Sequence, residues 1–193
     1  SATFVGYLLG GWPSALLATV PSITEISRRA LFRGKLHPES TPTEQSAFST
    51  NDRLFSLCGG QSRPVLFLKG DLQTSGEAGL ATEVKQAIAN KKCRVVAMVL
   101  NAVDDHLNGS DQIAPRWDLD FVRPLRELLQ LAAEAGRTLI LTSDHGHVLE
   151  HNTVLKTGMS IGGDRYREDG GAPTSGEIRI SGQRVQQAMG RQD

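Results

Sequence analysis

The sequence VVAMVLNAVDDH, residues 95–106, is the most informative about the fold, because it joins an apolar run to a cluster of acidic and imidazole side chains. Residues 95–103 are almost unbroken in their apolar character, which is typical of a strand that is buried on both faces of a sheet. A second apolar run, residues 138–142, leads into Ser143-Asp144-His145-Gly146-His147. Both runs predict strands that are followed directly by polar side chains of the types found in catalytic and metal sites.

The segments around these two strands alternate between strand and helix patterns. Residues 65–68 form a short apolar run, and residues 77–90 carry apolar side chains at helical spacing. A further helix is predicted from about Pro124 to Ala135, and Gly136 is a natural end for it. Strand, helix, strand, helix and strand in this order predict an α/β fold, a parallel-sheet core with helices on both faces.

The beginning of the chain carries the signals of a helix start. Ser22 and Glu25 have the spacing of a capping box, and Gly34 is a natural helix end. Thr24 is therefore expected in the first turn, where backbone N–H groups and the helix dipole favour an anion. The polar residues 37–50 predict a loop.

The end of the chain is rich in glycine and predicts a long loop. Only residues 177–180 and 183–185 have a regular pattern, which suggests a short hairpin. We therefore expect residues 1–148 to form the α/β core, and residues 149–193 to form a cap segment of the same domain. Loops of this length in a compact domain are usually functional or mobile.

Composition and charge exclude several classes of protein. The 193 residues carry 21 Lys and Arg against 21 Asp and Glu, so the net charge provides no general attraction to nucleic acid. No stretch is apolar for long enough to cross a bilayer, and we expect no membrane contact. Two cysteines are too few for a disulfide scaffold and indicate a reducing cytoplasm.

Acidic and imidazole side chains follow both predicted strands. In open α/β sheets ligands bind beyond the carboxyl ends of the strands, so Asp104, Asp105, His106, Asp144 and His145 are expected at one sheet edge. Carboxylate oxygens and imidazole nitrogens are ligands for zinc or manganese. The alternative is that these residues only cap turns and helices, which is the commoner fate of a cluster such as 104–106 taken alone.

Three segments carry a resemblance to a known family. They are Pro21-Ser22-Ile23-Thr24-x-x-Ser27-Arg28, Asn101-Ala102-Val103-Asp104-Asp105-His106-Leu107 and Thr142-Ser143-Asp144-His145-Gly146-His147. Together they resemble PglZ, the phosphatase of BREX phage-defence systems and a branch of the alkaline phosphatase superfamily. The type 2 form is the most similar, and the resemblance runs from about residue 13 to residue 185.

The resemblance implies a metal-dependent phosphoester hydrolase. Superfamily enzymes attack phosphorus with a Thr or Ser at a helix N-terminus, and Thr24 takes that place. Asp144 and His145 match the pair that binds the same metal as the nucleophile. The resemblance further implies two Zn²⁺ ions, with Mn²⁺ as the alternative, and other BREX proteins as partners. The implied substrate is a phosphate ester, with a monoester, a diester and nucleic acid as the alternatives.

The site of the second metal departs from the superfamily pattern, which has an Asp-x-x-x-His pair. Asp104 and Asp105 are the candidates, with His106 adjacent to them, and His147 is a further candidate ligand. Because neighbouring residues at a strand end point in opposite directions, we expect only one of Asp104 and Asp105 to face the metal, and we favour Asp104. Arg28 is a candidate phosphate partner, since a guanidinium matches phosphate oxygens in pairs.

Two ligands that the superfamily would supply are missing. No Asp lies between Ser1 and Thr24, and no His follows His151. We therefore expect the chain to be a fragment that lacks both ends of the catalytic domain. The competing hypothesis is a non-catalytic scaffold of the defence complex with a vestigial metal site.

Overall fold

Helices alternate with short strands in the computed structural model of the chain, as expected for an α/β protein. The structure describes residues 3–8, 14–17, 19, 22–34, 43–73, 79–109, 119, 121–146, 166 and 171–183. The elements are β1 (Thr3–Leu8), β2 (Ser14–Leu17), α1 (Thr24–Arg33), α2 (Glu44–Ser49), α3 (Asp52–Leu57), β3 (Val65–Phe67), α4 (Thr82–Ala89), β4 (Val96–Met98), α5 (Ala102–Gly109), α6 (Arg123–Glu134) and β5 (Ile140–Leu141). No helix in these ranges is both long and apolar enough to span a membrane.

The chain divides into two compact units. The first contains Ser1–Tyr7, Gly11–Thr41 and Leu141–Asp193, and the second contains Leu8–Gly10 and Pro42–Ile140. The division of the chain at residue 148 into a core and a cap segment stays a prediction.

The strands form two separate small sheets. One has the order β2-β1-β5, in which β1 and β2 pair antiparallel with Thr3 opposite Leu17. The other contains β3 and β4, which pair parallel with Val65 opposite Val96. The expectation of one parallel sheet that contains both β4 and β5 therefore differs from the structure.

Helix α1 covers Thr24–Arg33, and Gly34 follows its last residue, as the sequence predicts. Gly34 has a left-handed backbone (φ 68°) and donates its N–H to the carbonyl of Ala30, which is the usual role of glycine after a helix. The predicted capping box is wrong, because the N-cap is Ile23 and no side chain caps the helix. The sequence rule missed the start by one residue, which places Thr24 at the first helical position.

The predicted loop at residues 37–50 is wrong over its second half, which forms α2. The Thr43 side chain accepts a hydrogen bond from the Ser46 N–H and caps this helix. Phe48 is its buried residue. A single buried aromatic side chain leaves no apolar periodicity to read, so this helix depends on its cap and on tertiary packing.

The core of the second unit lies between α4 and α6. Val84 and Ile88 of α4 are one turn apart and buried, and they face Leu128 of α6. The buried cluster consists of Leu72, Leu80, Ala81, Val84, Ile88 and Leu128. Helix α6 starts and ends within one residue of its predicted limits, because its apolar stripe is strong and Gly136 (φ 63°) follows it.

Both predicted central strands are shorter than their apolar runs. Strand β4 covers only Val96–Met98 of the predicted residues 95–103, since Leu100 packs against the core after the strand has ended and Ala102 begins α5. Strand β5 covers only Ile140–Leu141, and Ile140 is 67% exposed rather than buried. Apolar residues in these two runs therefore indicate packing against the core as well as pairing in a sheet.

The predicted hairpin near the end of the chain is not confirmed. Residues 171–183 contain no strand, and Ile178 is 84% exposed. The remaining residues of the predicted hairpin, 184–185, lie outside the described residues.

The Arg137 side chain fastens the end of α4 to the start of β4. Its guanidinium donates hydrogen bonds to five backbone carbonyls at 2.5 to 3.5 Å, those of Ala87, Ile88, Asn90, Cys93 and Arg94. The last carbonyls of a helix have no partner within it, and an arginine is well suited to satisfy them. Arg137, which lies outside α4, thus satisfies the last carbonyl groups of this helix.

The Glu127 carboxylate binds a backbone N–H group at the beginning of α4. One oxygen accepts the Leu80 N–H at 2.9 Å, and the other pairs with the Lys85 ammonium at 2.8 Å. Gly79 has φ 104°, and a Cβ there would lie 3.0 Å from the same carboxylate. The Lys85 hydrogen bond, with help from the Leu80 N–H and the Lys85 charge, lowers the pKa of Glu127 against an opposing effect of partial burial.

We expect Arg137→Ala to lower the free energy of unfolding by about 2–4 kcal/mol, because several carbonyls lose a charged donor at once. Arg137→Lys should recover only part of this, since an ammonium cannot reproduce the guanidinium fork. Urea denaturation followed by circular dichroism measures the loss. The control is Lys91→Ala, which removes an exposed cation from the turn that Arg137 contacts. An Arg137→Ala change no larger than that of the control would contradict the clamp.

We expect Glu127 to make stability depend on pH below the ordinary pKa of glutamate. Its pKa is lowered in the folded state, so the unfolded state binds more protons in this window and stability rises with pH. The contribution is present above the ordinary glutamate pKa and is lost as the pH falls through the lowered value. Urea denaturation at several pH values should show a flatter acid limb for Glu127→Gln. The matched control is Glu83→Gln on α4, and an equal flattening in both variants would refute the assignment.

Candidate active site

Thr24 and His145 lie in direct contact, although 121 residues separate them in the sequence. The Thr24 Oγ1 to His145 Nε2 distance is 2.7 Å. Thr24 is the first residue of α1, and His145 follows β5 in the turn after Thr142. His145 is only 5% exposed. The structure therefore brings together the two residues on which the sequence prediction most depends.

The partner of the other ring nitrogen fixes the direction of this hydrogen bond. His145 Nδ1 lies 3.1 Å from the carbonyl oxygen of Gly146. A carbonyl only accepts, so Nδ1 carries the proton and Nε2 of the neutral ring carries the lone pair. The Thr24 hydroxyl therefore donates to Nε2.

Asp144 completes the group on the same turn. Its Oδ1 accepts the backbone N–H of His145 at 3.1 Å, and its Oδ2 lies 3.8 Å from His145 Nε2. The Ser143 hydroxyl donates to the carbonyl of His145 and closes the turn. The Thr24 hydroxyl oxygen and one Asp144 carboxylate oxygen thus both lie within 3.8 Å of His145 Nε2.

The chemistry of this donor set fits a divalent cation in part. A carboxylate oxygen and an imidazole nitrogen are ordinary zinc ligands, and the bond from Nδ1 to a carbonyl is typical of a zinc-binding histidine. Within the described ranges, however, no group of three or more His, Cys, Asp or Glu residues is placed to hold a metal. Asp144 and His145 supply two ligands of this kind, and the third donor is a hydroxyl.

The N-terminus of α1 adds anion-binding capacity beside Thr24. The helical hydrogen bonds begin with the N–H groups of Ile26 and Ser27, which both donate to the carbonyl of Ile23. The N–H groups of Thr24 and Glu25 precede this ladder, as at any helix start, and such groups attract phosphate.

Arg28 and Ser27 extend the arrangement along α1. Arg28 follows Thr24 by one turn, so the two residues share a helix face, and Arg28 is half-buried. The buried Ser27 accepts a hydrogen bond from the Thr19 hydroxyl at 3.0 Å, which holds the chain that enters the helix. Ser27 belongs to the motif that contains Thr24 and Arg28, but no sequence pattern indicates this contact with Thr19.

The second predicted ligand cluster lies within a helix rather than in a loop at a strand end. Asp104 and Asp105 occupy the first turn of α5, in the second unit. The Asp105 carboxylate pairs with the Lys69 ammonium at 2.7 Å in an exposed ion pair, which is a weak interaction. His106 packs edge-to-face on the Phe121 ring with centroids 4.7 Å apart. Metal binding by these residues stays a prediction, and His147 lies outside the described residues.

Comparison with known proteins identifies the family. No curated protein and no solved structure matches the chain significantly. The family profile described as "BREX system PglZ alkaline phosphatase-like domain" matches residues 12–167. This range contains the whole group of Thr24, Asp144 and His145, and it covers most of the 193 residues. The chain therefore belongs to the PglZ family of alkaline phosphatase-like domains from BREX systems.

Proposed function

We propose that the chain carries the catalytic group of a metal-dependent phosphoester hydrolase that acts in a BREX defence system. The observation that supports this most is the 2.7 Å contact between the Thr24 hydroxyl and His145 Nε2 at the start of a helix. A capping threonine would bond to the backbone of its own helix, whereas this hydroxyl bonds to an imidazole beside a carboxylate. The free cysteines Cys58 and Cys93, both buried, accord with a cytoplasmic location.

Thr24 is the nucleophile in this proposal. The phosphoryl oxygens bind at the N–H groups of the first turn of α1 and at the Arg28 guanidinium. Thr24 Oγ1 loses its proton and forms a bond to phosphorus while the bond from phosphorus to the leaving oxygen breaks, and the leaving oxygen takes up a proton. Water then cleaves the phosphothreonine ester, which releases phosphate and restores the hydroxyl.

Thr24, Asp144 and His145 would hold one metal ion, and Asp104, Asp105, His106 and His147 are the candidates for a second. Zn²⁺ suits these nitrogen and oxygen donors, and Mn²⁺ is the alternative. A bound divalent cation supplies Lewis-acid chemistry, which makes a threonine hydroxyl a usable nucleophile near neutral pH. Without the metal the Nε2 lone pair of His145 accepts the Thr24 hydroxyl, and the same lone pair would bind the metal in its place; the Gly146 carbonyl keeps it available by holding the proton on Nδ1.

We expect Thr24→Ala in the full-length protein to lower kcat for phosphate-ester hydrolysis by at least about 10³-fold, because the nucleophile is lost. Thr24→Ser should keep most of the activity. Thr82→Ala is the matched control, since Thr82 is also the first residue of a helix but is exposed. Release of nitrophenol from a monoester and a diester, each with added zinc or manganese, measures the effect.

Asp144→Ala should abolish the same metal-dependent turnover and lower the zinc content of the purified protein. Phosphate trapped on Thr24 by acid quench and detected by mass spectrometry would support the covalent step. Unchanged turnover in either Thr24→Ala or Asp144→Ala would refute the proposal.

A second candidate function is a scaffold whose metal site is vestigial, and exposed apolar side chains favour it. Ile178 is 84% and Ile180 is 51% exposed in the segment 171–183. Such neighbouring residues are common where one protein binds another. In this case the chain would contact other BREX proteins through this segment.

We expect Ile178→Ser/Ile180→Ser to weaken copurification with the other BREX proteins at least about tenfold if the chain is a scaffold. Leu57→Ser, at an equally exposed apolar position (62%), is the control. Zinc binding without turnover, together with this loss, would favour the scaffold. Full copurification by the double variant would exclude this surface.

A further inference from the structure

The second unit carries four exposed cations at the amino ends of its parallel strands. Arg63 lies two residues before β3, and Arg94 lies two residues before β4. Lys91 and Lys92 belong to the turn that leads into β4, and all four side chains are exposed. We call Arg63, Lys91, Lys92 and Arg94 the basic edge.

The loops of the basic edge are joined to each other, so the four cations lie in one place. The parallel register pairs Val65 with Val96, which sets Arg63 beside Arg94 at neighbouring strand starts. The Ser62 hydroxyl donates to the carbonyl of Lys92 and ties the two loops directly. Arg137 bonds to the carbonyls of Asn90 and Cys93 at 2.8 Å and holds the second loop in shape.

Among the residues that the structure describes, no acidic side chain is paired with these cations. Residues 53–70, 84–103 and 135–143, which contain all of these loops, include no Asp and no Glu. Within the part of the chain that the structure describes, none of the four cations forms an ion pair. The Arg63 guanidinium instead contacts the Ser49 carbonyl at 3.3 Å and lies 5.3 Å from the Phe55 ring centroid. In a chain of zero net charge, the basic edge is therefore a strong local concentration of positive charge.

The residues around the cations indicate which polyanion fits. Gly59, Gly60, Gln61 and Asn90 are exposed beside them, and none of the four has a large apolar side chain. A protein interface needs an apolar core with aromatic anchors, which these residues do not provide. Phosphate contacts need only cations and short polar groups, and they do not depend on base sequence. The phosphate backbone of nucleic acid is thus the better partner than an acidic protein.

We propose that the basic edge binds the phosphate backbone of double-stranded nucleic acid without sequence preference. A duplex fits better than a single strand, because single-strand sites stack bases on aromatic side chains. The Phe55 ring lies against the basic edge, but Arg63 covers its face, so this face is not free to stack on a base. This binding is separate from the hydrolytic function proposed above, since it uses none of Thr24, Asp144 or His145.

The salt dependence of binding tests the proposal. The full chain with Thr24→Ala, in buffer with chelator, is titrated against a labelled duplex of about 20 bp by fluorescence anisotropy at about 50 to 200 mM salt. Four phosphate contacts predict a slope of log K against log salt near about −3.6, and Lys91→Gln/Lys92→Gln should reduce its magnitude by about 1.8. Because binding is measured without turnover, its failure leaves the hydrolase proposal unaffected, and the reverse also holds.

Two matched variants separate the basic edge from net charge. Arg126→Gln/Arg179→Gln removes the same charge from exposed residues elsewhere and should leave the slope unchanged. Lys91→Arg/Lys92→Arg keeps the charge and should retain the slope. Equal slopes for both glutamine variants would overturn the proposal, as would binding to polyglutamate at least as tight as binding to the duplex.

Discussion

The hydrogen bond between Thr24 and His145 is the constraint on which the functional interpretation depends. It joins a helix start near the beginning of the chain to a turn 121 residues later. Two bonds hold the backbone of His145, one from the Ser143 hydroxyl to its carbonyl and one from its N–H to the Asp144 carboxylate, and a third joins the imidazole Nδ1 to the Gly146 carbonyl. A buried ring fixed on one nitrogen can present its other nitrogen in only one way, and the hydroxyl occupies that position. The local geometry of five residues thus defines the chemistry available to the chain.

Sequence patterns predicted those parts of the structure that depend on local preference. The limits of α1 and α6 follow from glycine at their ends and from apolar periodicity, and Thr24 falls at a helix start as expected. The proximity of Thr24 and His145 was reached through family resemblance, because no spacing rule spans so many residues. The extent of β4 and β5 was overestimated, since Leu100 is apolar for packing and not for pairing. Long-range packing determines which strands share a sheet, and an apolar run does not indicate the partner of its strand.

The residues that sequence reasoning missed act on backbone groups. Arg137 donates to backbone carbonyls, and Glu127 accepts from a backbone N–H. Almost every residue carries these backbone groups, so a sequence does not show which of them need a side-chain partner. Lys69 was likewise unassigned, yet it neutralises Asp105 on α5. Residues 104–106 follow an apolar run directly, so the sequence predicts that they lie at a strand end. In the structure they lie in α5, which begins where the run stops. Acidic residues are common in a first helical turn, so a structural interpretation of these positions competes with the ligand hypothesis on equal terms.

Helix α4 is short, and both of its ends are closed by side chains that come later in the chain. Glu127 serves its start from 47 residues away, and Arg137 serves its end from 49 residues away. A helix of eight residues is marginal in water by itself. During synthesis, α4 therefore leaves the ribosome well before the residues that complete it, and it stays unfinished until α6 and the turn after it have followed. The second unit should accordingly gain its structure late and in one cooperative step, and a nascent chain halted before residue 127 would expose Val84 and Ile88 to chaperones.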